Sequence, residues 1–118
     1  MLHSNRDLAR KVAKALTSST APEFQDAQIS VEKVLATNSR ESPGQFDAVT
    51  AIAIANLIVA LAKLTFDIWK HHSDAEAAKL EAMVRARAEE LKEWRAANEN
   101  VKQNILSSTL EVIKCESS

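Results

Sequence analysis

The chain has 118 residues, a length suited to one small domain, and its formal net charge is −1. Apolar residues make up 46% and charged residues 26%, whereas aromatic residues make up only 4% and glycine occurs once. The single glycine excludes a Gly-rich phosphate loop, and the single cysteine excludes an internal disulfide. The near-neutral net charge argues against the strongly basic face that nucleic-acid binding requires. Because good helix formers dominate, we predict one all-α domain spanning residues 1–118.

The first predicted helix covers about residues 5–18. Ser4 followed by Asp7 has the spacing of a helix-capping pair. Apolar side chains share one face of this helix: Leu8, Val12, Ala15 and Leu16. Basic side chains border that face: Arg6, Arg10, Lys11 and Lys14. They could bind an anionic membrane or nucleic acid, but we favour a peripheral helix with a solvated polar face.

The second predicted helix covers about residues 21–37, with a capping pair at Thr20 and Glu23 and Pro22 in its first turn. Its inward side chains follow a spacing of three and four: Phe24, Ala27, Gln28, Val31, Val34 and Leu35. A strand through Ile29 and Val31 is the alternative. The charged residues at 32 and 33 interrupt the alternation that a strand would need.

The third predicted helix, about residues 43–72, contains the most apolar stretch of the chain. Its capping pair is Ser42 with Gln45, and residues 48–62 carry no charge. One narrow polar stripe runs along the helix: Asn56, Ala60, Lys63, Asp67, Lys70 and Asp74. We expect Asn56 to be buried and to need a hydrogen-bond partner.

This apolar stretch must be buried in a helical core or in a bilayer. A membrane span through residues 46–69 would place Asn56 near the bilayer centre and Asp47 or Lys63 at its edge. We therefore favour a buried helix in a cytoplasmic protein. The alternative is a single-span membrane protein with a coiled-coil extension.

The last predicted helix, about residues 74–114, follows a capping pair at Ser73 and Glu76 and carries a seven-residue repeat. The first core position of the repeat holds Ala77, Val84, Leu91, Asn98, Ile105 and Val112. The second holds Leu80, Arg87, Trp94, Val101, Ser108 and Cys115. We expect a coiled-coil-like rod of about 60 Å packed on the central helix, giving a four-helix hairpin or bundle. Asn98 either specifies register in this seam or marks a break at residues 98–100.

The two short helices offer only narrow apolar faces, so we expect one chain not to enclose its own central helix. This predicts a homo-oligomer or a protein partner. The predicted interface residues are Ile52, Leu57, Leu61, Leu80, Val84, Leu91, Trp94, Asn98, Val101 and Ile105.

No residue pattern predicts catalysis, a cofactor, a metal or a small-molecule substrate. His71 and His72 point about 100° apart on a helix and suit a helix end better than a metal site. Cys115 has no histidine nearby in sequence to activate it. The sequence therefore predicts a non-enzymatic helical interaction module, such as a scaffold, adaptor or inhibitor-type subunit. The composition is typical of small helical accessory proteins of bacteria, although no motif identifies a family.

Overall fold

The computed structural model describes residues 4–18, 24–37, 49–72 and 76–117, and within these ranges the chain forms six helices and no strand. In chain order the helices are α1 (Asn5–Thr17), α2 (Ala27–Thr37), α3 (Val49–His71), α4 (Ala77–Ala88), α5 (Lys92–Ala96) and α6 (Glu99–Ser117). The all-α prediction is confirmed. The capping pairs predicted at Thr20, Ser42 and Ser73 lie outside the described residues.

Helix α1 begins as predicted, because the Ser4 side chain accepts a hydrogen bond from the backbone N–H of Asp7 at 3.3 Å. Its buried face is wider than predicted and consists of Leu8, Ala9, Val12, Ala13 and Leu16. The placement of Ala15 on that face was wrong, since Ala15 is exposed. Two small alanines instead extend the apolar face of α1.

Helix α2 begins at Ala27, later than predicted, after a turn at residues 24–26. The helical spacing is confirmed, because the buried apolar residues are Phe24, Ala27, Val31 and Leu35. Val34 is half-buried, and the inward placement of Gln28 was wrong because its side chain is exposed. Ile29 is 61% exposed, so the alternative strand is also wrong.

Helix α3 lies at the centre of the bundle and contacts each of the other five helices. Its buried residues are Ile54, Ala55, Leu57, Ile58, Leu61, Ala62, Thr65 and Ile68. The predicted polar stripe is present, with Lys63, Asp67 and Lys70 exposed, whereas Asp74 lies outside the described residues. Within the single chain, 44% of the most apolar window of this helix is buried. The expectation that one chain does not enclose its own central helix therefore stays a prediction.

The C-terminal region is three helices rather than the predicted rod. Leu91 separates α4 from α5 with φ −86° and ψ 126°, and Ala97 ends α5 with φ −85° and ψ 152°. Both residues are extended, so the seven-residue repeat does not continue through one helix. Asn98 accepts a hydrogen bond from the backbone N–H of Val101 at 2.9 Å and caps the first turn of α6. Of the two interpretations of Asn98, the structure shows the break.

Helices α4 and α6 bury residues spaced mainly four apart, which is the spacing of a straight helix packed on a core. In α4 these are Leu80, Val84 and Ala88, and in α6 they are Val101, Ile105, Leu106, Thr109 and Ile113. Glu76, the predicted capping partner of Ser73, is itself the residue before α4 and makes no side-chain capping hydrogen bond. Helix α6 packs on α1, α3 and α4, so the first and last helices meet and close the bundle.

Candidate functional site

A groove of about 680 Å³ lies between the first half of α3 and the segment running from α5 into α6. Residues of both walls line it: Ala53, Ile54, Asn56, Leu57, Lys92, Glu93, Ala96, Ala97, Asn98 and Val101. The lining is mostly apolar, with a few polar groups, which is the usual composition of a protein binding site. The break between α5 and α6 forms one wall, so a continuous helix would not produce this groove.

Trp94 fixes the position of the short helix α5. Its side chain is only 2% exposed, and its indole Nε1 donates a hydrogen bond to Glu89 Oε2 at 3.2 Å. The ammonium of Lys102 lies 5.5 Å from the centre of the indole ring, which adds a cation–π contact from α6. These contacts fix α5 through its buried side, while other residues of α5 line the groove.

Alanines keep the groove open. Ala53 on α3 and Ala96 on α5 are both exposed, and Ala97 is half-buried between α5 and α6. A larger side chain at any of these positions would occupy space that is now accessible to a ligand. The groove floor is formed by more buried residues, including Ile54 and Leu57.

The polar groups of the groove are two amides and two opposite charges. Asn56 is half-buried on the α3 wall, so the prediction that it lies buried in the core was wrong. Asn98 is exposed on the opposite wall, with its Oδ1 directed to the Val101 N–H. Lys92 is exposed and Glu93 is half-buried. The groove therefore presents hydrogen-bond donors and acceptors and both signs of charge.

Most of the predicted interface residues lie in the core of the single chain. The residues buried there are Leu57, Leu61, Leu80, Val84, Trp94, Val101 and Ile105. Ile52 and Leu91 are half-buried, and Asn98 is exposed. Of the predicted set, Leu57, Asn98 and Val101 line the groove. No sequence pattern indicates Ala53, Ala96 or Ala97, because their role depends on where the last helix breaks.

A smaller cleft of about 280 Å³ lies at the C-terminal end of α3, facing α4. Its lining includes Asp67, His71, His72 and Arg87. His71 Nδ1 lies 2.9 Å from the backbone oxygen of Asp67, so the imidazole is engaged with its own helix. Among the described residues no group of three or more His, Cys, Asp or Glu side chains could hold a metal ion.

The basic residues of α1 are partly engaged within the fold. Arg10 Nε lies 2.7 Å from Glu32 Oε2, and Arg6 donates to the backbone oxygen of Leu35 at 3.1 Å. These contacts join α1 to α2 and fit the interpretation of α1 as a peripheral helix with a solvated polar face.

The segment Ile52–His71 is long and apolar enough to cross a membrane, with a mean hydropathy of 1.7. In the bundle, 44% of its most apolar window is buried. The same length and composition are found in the central helices of soluble proteins.

No protein-family model, curated protein or solved structure matches the chain. The class of protein is therefore described by the fold and the groove alone. It is a small all-α bundle with an open, mainly apolar groove between α3 and α5–α6.

Proposed function

We propose that this protein is a non-enzymatic helical interaction module that binds a helical segment of a partner protein in the groove between α3 and α5–α6. The groove carries the proposal, because it keeps apolar surface open in a bundle that buries most of its large apolar side chains. Among the described residues, Ile29 is the one large apolar side chain that is exposed on the outer surface. The groove is therefore the concave apolar surface best suited to a partner.

The chemistry of the groove fits an amphipathic helix. Ile54, Leu57 and Val101 offer apolar contacts for the three or four anchoring side chains that a helix inserts into such a groove. Asn56 and Asn98 each have both a donor and an acceptor, and so can bond polar side chains on the flanks of the helix. Lys92 and Glu93 provide both signs of charge, which disfavours a uniformly anionic ligand such as nucleic acid.

Site-specific photo-crosslinking tests this proposal. A benzophenone-bearing residue is introduced at position 53 or 96 in the groove, and at position 82 as a control, since Ala82 is exposed on α4 outside the groove. We expect positions 53 and 96 to give an adduct with the same protein in a native extract, and position 82 to give none. Excess unlabelled protein should compete this adduct, and excess Ala96→Glu protein should not. Equal labelling at position 82, or no adduct in the groove, would overturn the proposal.

The second candidate is a single-span membrane protein anchored by residues 46–69, which the length and hydropathy of Ile52–His71 favour. Insertion would require Ile54, Leu57 and Leu61 to leave their contacts in the bundle core. Fractionation separates the two candidates. Recovery of the full chain in the soluble fraction without detergent supports the interaction module, whereas a membrane pellet resistant to carbonate extraction supports the anchor.

A further inference from the structure

The two breaks in the C-terminal region occur at residues that favour helix. Residues 77–117 contain neither glycine nor proline. Leu91 and Ala97, the extended residues, are among the best helix formers, and alanine is the best of all. The local sequence of residues 77–97 therefore favours helix, whereas Asn98 and Asn100 favour it less. The break at Leu91 in particular depends on contacts made elsewhere in the bundle.

Contacts at two residues hold the broken form. Trp94 is buried beside α5 with its Nε1 on Glu89 Oε2, and Asn98 caps α6 through the Val101 N–H. The Asn98 cap requires the chain to turn before α6, because in a continuous helix the Val101 N–H would bond the backbone oxygen four residues earlier. The Trp94 bond spans the turn between α4 and α5. Loss of either interaction shifts the balance toward the continuous helix.

A continuous helix from α4 to α6 would be a rod of roughly 60 Å, longer than any principal extent of the bundle, the largest of which is 42 Å. Straightening would carry α6 away from α1 and α3 of its own chain, which it contacts in the closed form. The face of α6 that holds Val101, Ile105 and Ile113 would then lose its cover. The surface that fits this face best is the surface of α1 and α3 on a second copy, which is identical to the one that α6 has left.

We infer that α4, α5 and α6 join into one helix in a domain-swapped dimer, in which α6 of each copy packs on α1 and α3 of the other. The partner is a second copy of this chain, and the swapped contacts are those of the monomer. The mainly apolar seven-residue repeat continues across the breaks at Leu91 and Ala97, as one helix in the open form requires. Because Ala97, Asn98 and Val101 line the groove, the swap would also remove the binding site proposed above.

One substitution should block the swap without disturbing the monomer. Lys92 is the first residue of α5, where proline is well tolerated, and Leu91 before it already has the extended backbone that a residue preceding proline prefers. Inside a continuous helix the same proline would remove a hydrogen bond and clash with the preceding turn. Lys92→Pro should therefore be monomeric and retain the helical circular dichroism of the wild type, with Lys92→Ala as the matched control for loss of charge.

The opposite substitution should promote the swap. Asn98→Ala removes the α6 cap from both copies, and we expect it to raise the dimerisation constant roughly tenfold or more over the wild type. Light scattering of the full chain across a concentration series measures this constant. A wild-type level of dimer in Lys92→Pro, or an Asn98→Ala protein with no more dimer than the wild type, would overturn the inference.

Isotope mixing distinguishes a swapped dimer from two closed bundles in contact. Heavy and light Asn98→Ala chains are unfolded together, refolded and treated with a short amine cross-linker that joins lysines of α1 to lysines of α6. In a swapped dimer the α1–α6 links include mixed heavy–light pairs, whereas in a pair of closed bundles every such link lies within one isotope. If Lys92→Pro fails to fold, Glu99→Pro at the start of α6 takes its place. These readouts do not use the groove partner, so either proposal can fail independently.

Discussion

The indole Nε1 of Trp94 donates a hydrogen bond to Glu89 Oε2 at 3.2 Å, across the turn that separates α4 from α5. The bond joins Glu89, the first residue of the turn, to Trp94, the buried residue of α5. Helix α5 is the shortest helix in the described chain. The position of α5, and with it one wall of the groove, depends on this pair.

Replacing Trp94 should cost more stability than any other single aromatic truncation on α3 or α5. We expect Trp94→Ala to lower the free energy of unfolding by about 3–5 kcal/mol, because it leaves a large cavity in the core. Glu89→Gln keeps an acceptor for the indole and should cost less than about 1 kcal/mol. Urea unfolding followed by circular dichroism measures both. Trp69→Ala is the control, since Trp69 is only half-buried. If Trp69→Ala lowers the free energy of unfolding as much as Trp94→Ala does, the prediction is contradicted.

A threonine in the core of α3 should be replaceable with a gain in stability. Thr65 is fully buried, and within the described part of the structure its Oγ1 has no hydrogen-bond partner. Thr65→Val keeps the shape and removes the buried hydroxyl, so we expect the free energy of unfolding to rise by about 1 kcal/mol. Thr109 is the matched control, because its Oγ1 donates to the backbone oxygen of Ile105 at 2.7 Å. Thr109→Val should give no gain, and equal gains at both sites would contradict the explanation.

The cap of α1 should stabilise the whole bundle, because α1 packs on α2, α3 and α6. Ser4→Ala removes the acceptor for the Asp7 N–H and should lower the free energy of unfolding by about 0.5–2 kcal/mol. Ser4→Asp retains an acceptor at the same place and should restore most of the loss. Amide hydrogen exchange in the first turn of α1 reports the local effect; unchanged exchange in Ser4→Ala would show that the cap contributes nothing.

The ion pair between α1 and α2 should contribute little. The side chains of Arg10 and Glu32 are 47% and 53% exposed, so water screens their interaction. A double-mutant cycle with Arg10→Ala and Glu32→Ala should give a coupling energy below about 1 kcal/mol that falls further in 1 M salt. A larger coupling that persists in high salt would mean that this pair, rather than apolar packing, fixes α2 on α1.

The sequence predicts the helical class, the central position of the most apolar helix and the buried apolar residues of α2, because these depend on composition and local periodicity; it misplaces Gln28, which is exposed. It fails for the C-terminal region, where Leu91 and Ala97 adopt extended backbone against their own helix preference. The burial of Trp94, which opposes this preference, is gained only when α5 packs in the bundle. Propensity is a weak guide wherever tertiary packing opposes it.

The width of the buried face of α1 also escaped prediction. Ala9 and Ala13 are both fully buried, so α1 covers more of the core than its large apolar residues indicated. The groove was not predicted for a related reason. Its alanines carry no chemical signature, and Ala96 and Ala97 face Ala53 only because the chain turns between α5 and α6.

The packing of α6 on α1 has a consequence for synthesis of the protein on the ribosome. Helices α1, α2 and α3 leave the exit tunnel first, before Ile105 and Ile113, which are buried in the finished core, have emerged from it. Nascent chains must therefore carry incompletely covered apolar side chains on α1 and α3 until residue 113 has left the exit tunnel. During that interval chaperones have a target that the released protein no longer displays.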